Sequence, residues 1–510
     1  MLLLERTIKL PQVAHDSDRI RLIFGLKIKH LRQEKGVSLS DLATRSGLSV
    51  SYLNEIEKGK KYPKTEKIFA LAAALGADYD TLVSAKLSKK LEPIAELLDS
   101  NLLHELPLEL FGLDAASLLD LLSNAPSKVA AFVSTLLEIS RTHGMRVEQF
   151  FFSALRTFQE MHDNHFDDLE AEAAAFFRQF NPRGEAVDAP FLETWLLTER
   201  RYVLEPFSEI THPDLASLRS VLIPGATPRL LLNEQLGGEQ RTFTLAREVG
   251  YAFMQIPVNA RPLVSSVVEA ESFEQVLNNF RASYFARAVL MPKPLMVAAL
   301  NEFFGQKTWD EAALPTLLTR FQVTPEMLLL RMSNLLTSHF NLNNHFFLRF
   351  DHAAGSPDFS LAKEMHLSRH HSPHATTSEH YCRRWIALGM LKELEVLQET
   401  GAWNGQPLSR AQRSAYFDTD TEYLVLALAK PSPPKPGVNS SVCLGLALDE
   451  PLRTLVHFLD DPALPRRVVN ETCERCPIAD CRERVAPPTE YQKLQRIARL
   501  NAAVRALQGV

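Results

Sequence analysis

Cysteine is scarce in this chain, with five residues among 510. That is too few for the disulfide framework that holds small secreted domains together. Long apolar runs are missing too: none reaches the roughly 18 residues that a membrane-spanning helix needs. The apolar start of MLLLERTIKLPQVAHD breaks off at Glu5, and no small-residue cleavage site follows it. Together these absences lead us to expect a cytoplasmic protein with no membrane partner. An excess of one charge is lacking as well. The net value is only −5, so global electrostatics neither favour nor exclude nucleic acid. What is present is an ordinary globular composition, 45% hydrophobic and 23% charged, over a length that implies roughly three or four domains.

Against that background one segment is basic: residues 21–67 hold eleven Lys and Arg against five Asp and Glu. The same segment is dense in helix signals. A first helix through Leu22, Leu26 and Leu31 stops near Gly36. Ser38 is placed to cap LSDLATRSG, with Asp41 three residues on, and Gly47 supplies a tight turn. Ser49 then caps VSYLNEIEKGK, which ends at Gly59, and two more helices follow from about Thr65 and Asp78. Two short helices joined by a Gly-containing turn form a helix-turn-helix. Leu42, Ala43, Leu48, Leu53 and Ile56 would fill its core. Val50, Ser51, Asn54 and Glu55 would face a major groove, Glu55 accepting from a cytosine amino group. Lys58, Lys60 and Lys61 suit phosphates. With the caps Ser38 and Ser49 and with Tyr52, these residues form the expected DNA-contact set. The run from Leu42 to Lys60 resembles the phage-repressor and Cro type of domain.

Residues 86–180 place Leu, Ile, Val and Phe at three- and four-residue spacings, which predicts a helical linker that pairs subunits. Near Asn164 the last stretch reads as one long helix or two. His162 and His165, beside Asp163, Asp167 and Asp168, suit either a metal or a solvated polar face. After residue 200, RYVLEP, SVLIPG and RLLLNEQLGG contain short β-type runs, with a hairpin expected at Leu236-Gly237-Gly238.

The next stretch lacks the residues its pattern calls for. A zinc-peptidase helix reads H-E-x-x-H, whereas TLAREVGYAF has Arg247, Glu248 and Tyr251 at those positions. Around it, Arg241, Phe243 and Ala246, then Phe285, Ala286, Leu290, Met291 and Pro292, resemble the ImmA/IrrE peptidase-like domain. In that family a carboxylate stands where this chain has Arg281. Two cations and a phenol do not bind Zn²⁺ at neutral pH, and Glu248 has no metal-bound water to activate. The expectation is therefore no peptidase activity. Either Arg241, Arg247 and Arg281 would line the vacated cleft and recognise an anion, or Arg247 and Arg281 would pair with Glu248 or Glu271.

Three of the five cysteines crowd into NETCERCPIADCRERVAPP as Cys473, Cys476 and Cys481. A turn of this kind points three sulfurs at one centre, suiting tetrahedral Zn²⁺ or an iron–sulfur cluster. The fourth ligand would come from Cys382, Cys443 or one of His366, His370, His371, His374 and His380. Arg475, Arg482 and Arg484 would offset the thiolate charge.

The order of these parts resembles the short-chain fatty-acyl transcriptional regulators, a family that includes regulators of propionate catabolism. FFLRFDHAAGSPDFSLAKEMHLSRHHSPH and EHYCRRWIALGM share that likeness. The resemblance implies an acyl-CoA effector, at residues it does not locate, and a four-iron (4Fe-4S) cluster. Its ligand set, carried over by position, is Cys382, Cys473, Cys476 and Cys481, leaving Cys443 as a core thiol. The expected fold is mainly α and multidomain. Residues 1–18 form an extension, 19–85 a five-helix helix-turn-helix domain and 86–180 the helical linker. Residues 181–350 form an α+β degenerate peptidase-like domain and 351–510 an α+β effector domain with the cysteine cluster. The expected function is a sequence-specific regulator that binds double-stranded operator DNA as a dimer or tetramer and senses a short-chain acyl-CoA. The competing readings are an active metallopeptidase and an antitoxin-like or stress-response regulator with structural zinc and no acyl-CoA.

Overall fold

The computed structural model describes residues 12–84, 147–181, 187–264, 270, 272–367, 379–417 and 419–508. It divides into two compact units, Met1–Ala154 and Leu155–Val510. Within them the protein is mainly α, with mixed sheets confined to the larger unit.

The smaller unit contains the five expected helices: α1 Gln12–Glu34, α2 Leu39–Ser46, α3 Val50–Glu57, α4 Thr65–Leu75 and α5 Tyr79–Val83. Helix α1 begins inside the stretch expected to be an extension, because the apolar spacing that buries Ile23, Phe24 and Ile28 runs on from it. The caps act where the sequence put them. Ser38 Oγ accepts from the Asp41 amide at 3.0 Å and Ser49 Oγ from the Tyr52 amide at 3.2 Å; Asp78, not expected as a cap, accepts from the Thr81 amide. Gly47 closes α2 at φ 69°, a backbone region that disfavours other residues. Gly25 lets α1 and α3 touch: a Cβ there would stand 2.2 Å from the Ile56 carbonyl. Lys27 is turned inward, its Nζ donating to the carbonyls of Thr81 and Ser84 at the end of α5. Not all of the basic segment therefore faces solvent.

Most of the expected linker, residues 85–146, lies outside the described residues. Beyond it come two helices rather than one, α6 Val147–Met161 and α7 Asp167–Phe180, parted where Asp163 and Asn164 take positive φ. Helix α8 (Ala189–Arg200) leads into a three-stranded sheet, β1 Val203–Phe207, β2 Ser220–Ile223 and β3 Arg229–Asn233, in the order β1-β3-β2. The expected hairpin at Leu236-Gly237-Gly238 is not formed. Gly237 is instead the N-cap of helix α9 (Gly238–Phe253), and its N–H donates to the Gln240 side chain at 3.3 Å. Helices α10 Phe273–Leu290, α11 Lys293–Phe304, α12 Ala313–Phe321 and α13 Pro325–Phe340 complete the helical half.

A six-stranded sheet follows: β4 His345–Ala353, β5 Ser360–His366, β6 Leu408–Tyr416, β7 Glu422–Pro431, β8 Val438–Ala447 and β9 Arg466–Val469. Its order is β5-β4-β8-β7-β6-β9, antiparallel except for β6 with β9. The expected division at 350/351 falls inside β4. Both sheet faces are covered, so β7 reads as a continuous apolar run rather than an alternation. Leu424, Leu426 and Leu428 join the core shared with the helices, whereas Tyr423, Val425 and Ala427 pack beneath helix α14 (Ile386–Glu399). Short α15 (Glu450–Leu455) precedes β9, and α16 (Thr489–Gln508) ends the chain. No helix among the described residues is long and apolar enough to cross a membrane.

His345, at the start of β4, is fully buried. Its Nδ1 lies 3.1 Å from the Leu342 carbonyl, and its Nε2 has no partner. Burial therefore pushes its pKa down to about 4, against the pull of the Leu342 and Ser333 backbone. With the folded value below the unfolded one, the neutral ring's stabilisation is complete above about pH 6.5 and is lost as pH falls towards 4. Urea midpoints of the full chain should fall between pH 7 and pH 4.5. The fall should be shallower in His345→Gln. An equal fall in both proteins would remove His345 as its source.

Candidate functional site

The DNA-facing candidates are gathered on α3. Leu53 and Ile56 anchor it in the core, which leaves Val50, Ser51 and Asn54 exposed and Glu55 half-buried. Other contacts reassign part of the expected set. Glu55 is held by Lys61 at 2.8 Å, so it reaches a base only by exchanging that partner. The ring of Tyr52 packs beneath Lys67, 4.2 Å from its centroid. The Ser38 hydroxyl donates to Asp41 Oδ2 at 2.6 Å as well as capping α2. Lys58 and Lys60 stay exposed beyond the helix end. Arg32, which the sequence did not single out, donates to both Glu57 oxygens at 2.6 and 2.8 Å and so sets the angle between α1 and α3.

In the larger unit, α9 and α10 bring the former peptidase positions together. Glu248 is buried. Its Oε1 accepts from Arg261 Nη1 at 2.8 Å and from the Tyr202 hydroxyl at 2.7 Å. Arg261 also donates to the Tyr202 oxygen at 3.2 Å and lies over the Tyr251 ring, 5.2 Å from its centroid. Burial raises the Tyr202 and Tyr251 phenols well above the ordinary tyrosine range, so both stay protonated. Tyr251 donates to Asn279 Oδ1 at 3.1 Å. The partner of Glu248 is thus Arg261, not Arg247 or Arg281 as the sequence suggested; Glu271 lies outside the described residues. Arg241 pairs with Glu193 at 2.7 Å, and Arg281 approaches Asp168 at 3.8 Å on the surface. Of those three arginines only Arg247 lines the adjoining cavity.

The cysteines come from two places in the chain. A bridge between Tyr381 and Thr472 lays the segment before α14 against the one after β9. The Cys382 amide donates to the Glu471 carbonyl at 3.0 Å, and the Cys473 amide to the His380 carbonyl at 2.8 Å. Cys382, Cys473 and Cys476 are buried and Cys481 is half-buried. Burial pushes the Cys382 thiol up, and Cys476 and Cys473 are near enough to push it further. Arg484 ties the turn internally, donating to the carbonyls of Cys473, Cys476 and Ile478 at 2.6, 2.9 and 2.7 Å. Arg475 instead pairs with Glu379 at 2.6 Å, so it does not answer the thiols as expected.

His380 Nδ1 sits 2.7 Å from Glu474, and His366 lies on β5 at the sheet edge opposite β9. His370, His371 and His374 fall outside the described residues. Cys443 is a core thiol in β8, pushed up to about 12 by burial. His165 is bonded to the Asn334 carbonyl at 2.8 Å and His162 to that of Phe158. As the side chains stand, no group of three or more His, Cys, Asp or Glu among the described residues is set to hold a metal ion.

Comparison with known proteins matches two of these parts. Residues 28–82 match the helix-turn-helix family, and residues 208–333 match the IrrE N-terminal-like domain of a peptidase family. The HTH-type transcriptional regulator y4dJ of Sinorhizobium fredii is 35% identical over 65 residues, which is 13% of this chain and 84% of that protein. SinR of Bacillus subtilis is 37% identical over 65 residues, 12% of this chain and 59% of SinR. Among solved structures, a Mycobacterium tuberculosis transcriptional regulator aligns over 66% of this chain and 93% of its own, at 17% identity and a TM-score of 0.46.

Two outcomes follow from this geometry. On an operator fragment selected in vitro with the full chain, Asn54→Ala should cost about 1–3 kcal/mol of specific binding. Lys60→Ala should weaken all sequences alike and lower the salt slope by about 1. Equal losses of specificity in both variants would place base reading elsewhere. At the peptidase-like centre, Arg261→Ala leaves Glu248 buried without its cation and should cost about 3–5 kcal/mol. Combining it with Glu248→Gln should restore much of that stability in chemical denaturation, and strictly additive losses would contradict the pairing.

Proposed function

The chain belongs to the helix-turn-helix transcriptional regulators, and we propose that its larger unit makes it a sensor of a short-chain acyl-CoA that carries an iron–sulfur cluster. The observation that carries the reading is the gathering of Cys382 with Cys473 and Cys476 across a backbone bridge, in a chain that also presents a capped recognition helix. The donor types suit a cluster or zinc: three buried thiols and the half-buried Cys481, the turn being tied by Arg484. Cys382, Cys473, Cys476 and Cys481 would hold the group. Bound there, it would supply an oxidation-sensitive cross-link between the start of α14 and the segment after β9. The acyl-CoA effector rests on the family resemblance.

This reading assigns the peptidase-like region a structural role without hydrolysis. Arg247 and Tyr251 flank Glu248, which Arg261 and Tyr202 occupy. It also takes the regulator to act as a dimer or tetramer, whose symmetry would match half-sites one DNA turn apart. An effector that favours one arrangement by about 1–3 kcal/mol changes operator affinity about 5- to 150-fold.

Anaerobic purification with iron, sulfide and zinc quantified tests the cluster. About four irons per chain with matching sulfide are expected, and Cys473→Ser should lose them. One zinc and no iron would replace the cluster with a structural site. Calorimetric titration with propionyl-CoA and operator-binding curves test the effector; absence of binding would leave a DNA-binding regulator without that ligand.

A further inference from the structure

Between the inner face of the six-stranded sheet and helices α9, α10 and α13 lies a cavity of about 170 Å³. Six cationic side chains and a single carboxylate line it. That imbalance is unusual for an interior, where a charge removed from water is ordinarily paired. The carboxylate, Glu326, is already engaged: Arg349 donates to it at 2.7 Å and Lys363 at 3.1 Å. Burial works against its charge, yet Lys363, Arg349 and Arg219 hold it well below the usual carboxylate range. Arg349 also takes Asp351, at 2.9 Å. On that wall, charge meets charge.

Arg219 also faces Glu326, and three further cations, Arg287, Arg247 and Lys430, remain. Arg287, on α10, is only 5% exposed. Its Nε has no hydrogen-bond partner, and its guanidinium carbon lies 5.9 Å from the Tyr284 ring centroid. Burial pushes its pKa down, but only to about 10, so it remains a cation at neutral pH. Arg247, on α9, likewise has a buried Nε with no partner. Lys430, at the end of β7, lines the same cavity; burial pushes its ammonium pKa down, and Glu239 pulls the other way. Three cations on three elements, two of them with unpartnered buried Nε atoms, converge on one cavity that Ser283 also lines.

We propose that this cavity is a binding site for a phosphate group, held by Arg287, Arg247 and Lys430. A phosphate carries up to two negative charges and several acceptor oxygens, which suits guanidinium forks and an ammonium point charge together. The volume decides the scale: at about 170 Å³ it falls below the roughly 300–1,000 Å³ of pockets that enclose whole drug-sized ligands. It takes a phosphate head, either inorganic phosphate or the phosphate end of a larger molecule whose remainder lies outside. The site does not depend on the effector being an acyl-CoA. It adjoins the vacated peptidase centre through Arg247, whose neighbour Glu248 faces Arg261 instead.

The test uses the full-length protein at matched ionic strength, with thermal unfolding and calorimetry against inorganic phosphate and, separately, against CoA. Saturable stabilisation by one of them is expected. Arg287→Gln and Lys430→Gln should each weaken it about tenfold to hundredfold. Without added anion, Arg287→Gln should melt no lower than the parent chain, because it removes a buried unpaired charge. If that variant does not fold, Lys430→Gln at the cavity rim carries the comparison. Competition between CoA and phosphate assigns the site to the phosphate end of an organic ligand, and phosphate binding alone assigns it to the free ion. The proposal is overturned if neither ligand binds saturably, or if both variants bind as the parent does. Failure of propionyl-CoA to bind while phosphate binds would sink the effector reading and leave this one standing.

Discussion

The helical half of the larger unit is organised by one buried ion pair. Arg331 of α13 is fully buried and donates to both oxygens of Glu170 on α7, while its Nε donates to the Met291 carbonyl at the end of α10. The Tyr284 hydroxyl of α10 completes the carboxylate's partners at 2.8 Å. Burial opposes the charge on Glu170, and Arg331 more than offsets it, so the carboxyl sits below its usual range. Such a pair adds little net stability compared with an apolar replacement, but neither member can be removed alone without stranding a charge. It therefore ties α7, α10 and α13 to one arrangement. Helix α10 in turn carries Asn279 towards Tyr251 and Arg287 into the cavity.

The same electrostatic rule explains what became of the peptidase-like centre. Left alone, Glu248 would be a buried carboxylate with nothing to balance it. Arg261, from the loop between α9 and α10, supplies the cation, and Tyr202 the second hydrogen bond. The framework persists because α9 and α10 still pack against each other through Leu245, Val249, Phe285 and Val289.

Local features were legible in the sequence to the degree that their causes are local. The caps at Ser38 and Ser49 act within three residues of themselves, and both hold. The short β-type runs at 203–207, 220–223 and 229–233 became strands for the same reason. Gly237-Gly238 misled because a glycine pair serves equally as a hairpin turn or as a helix start, and the Gln240 side chain selected the second. The bridge between Tyr381 and Thr472 had no local signal, since its halves lie ninety-one positions apart and are joined by a sheet crossing. Only the shared residue type, cysteine, hinted that these segments meet.

By itself, then, the sequence determined the helix-turn-helix with its exposed α3 face and the peptidase-like framework with Arg247, Glu248 and Tyr251 inside it. It also set the close spacing of Cys473, Cys476 and Cys481. The first and last follow from periodicity, capping and spacing, which operate over a few residues; the framework follows from its resemblance to the ImmA/IrrE domain. Tertiary structure alone decided that Glu248 meets Arg261, that Glu55 meets Lys61, and that Arg247, Arg287 and Lys430 share one cavity while Arg241 and Arg281 do not. A charged side chain's role depends on what surrounds it once water is withdrawn. Those surroundings are assembled from strands and helices up to two hundred residues apart.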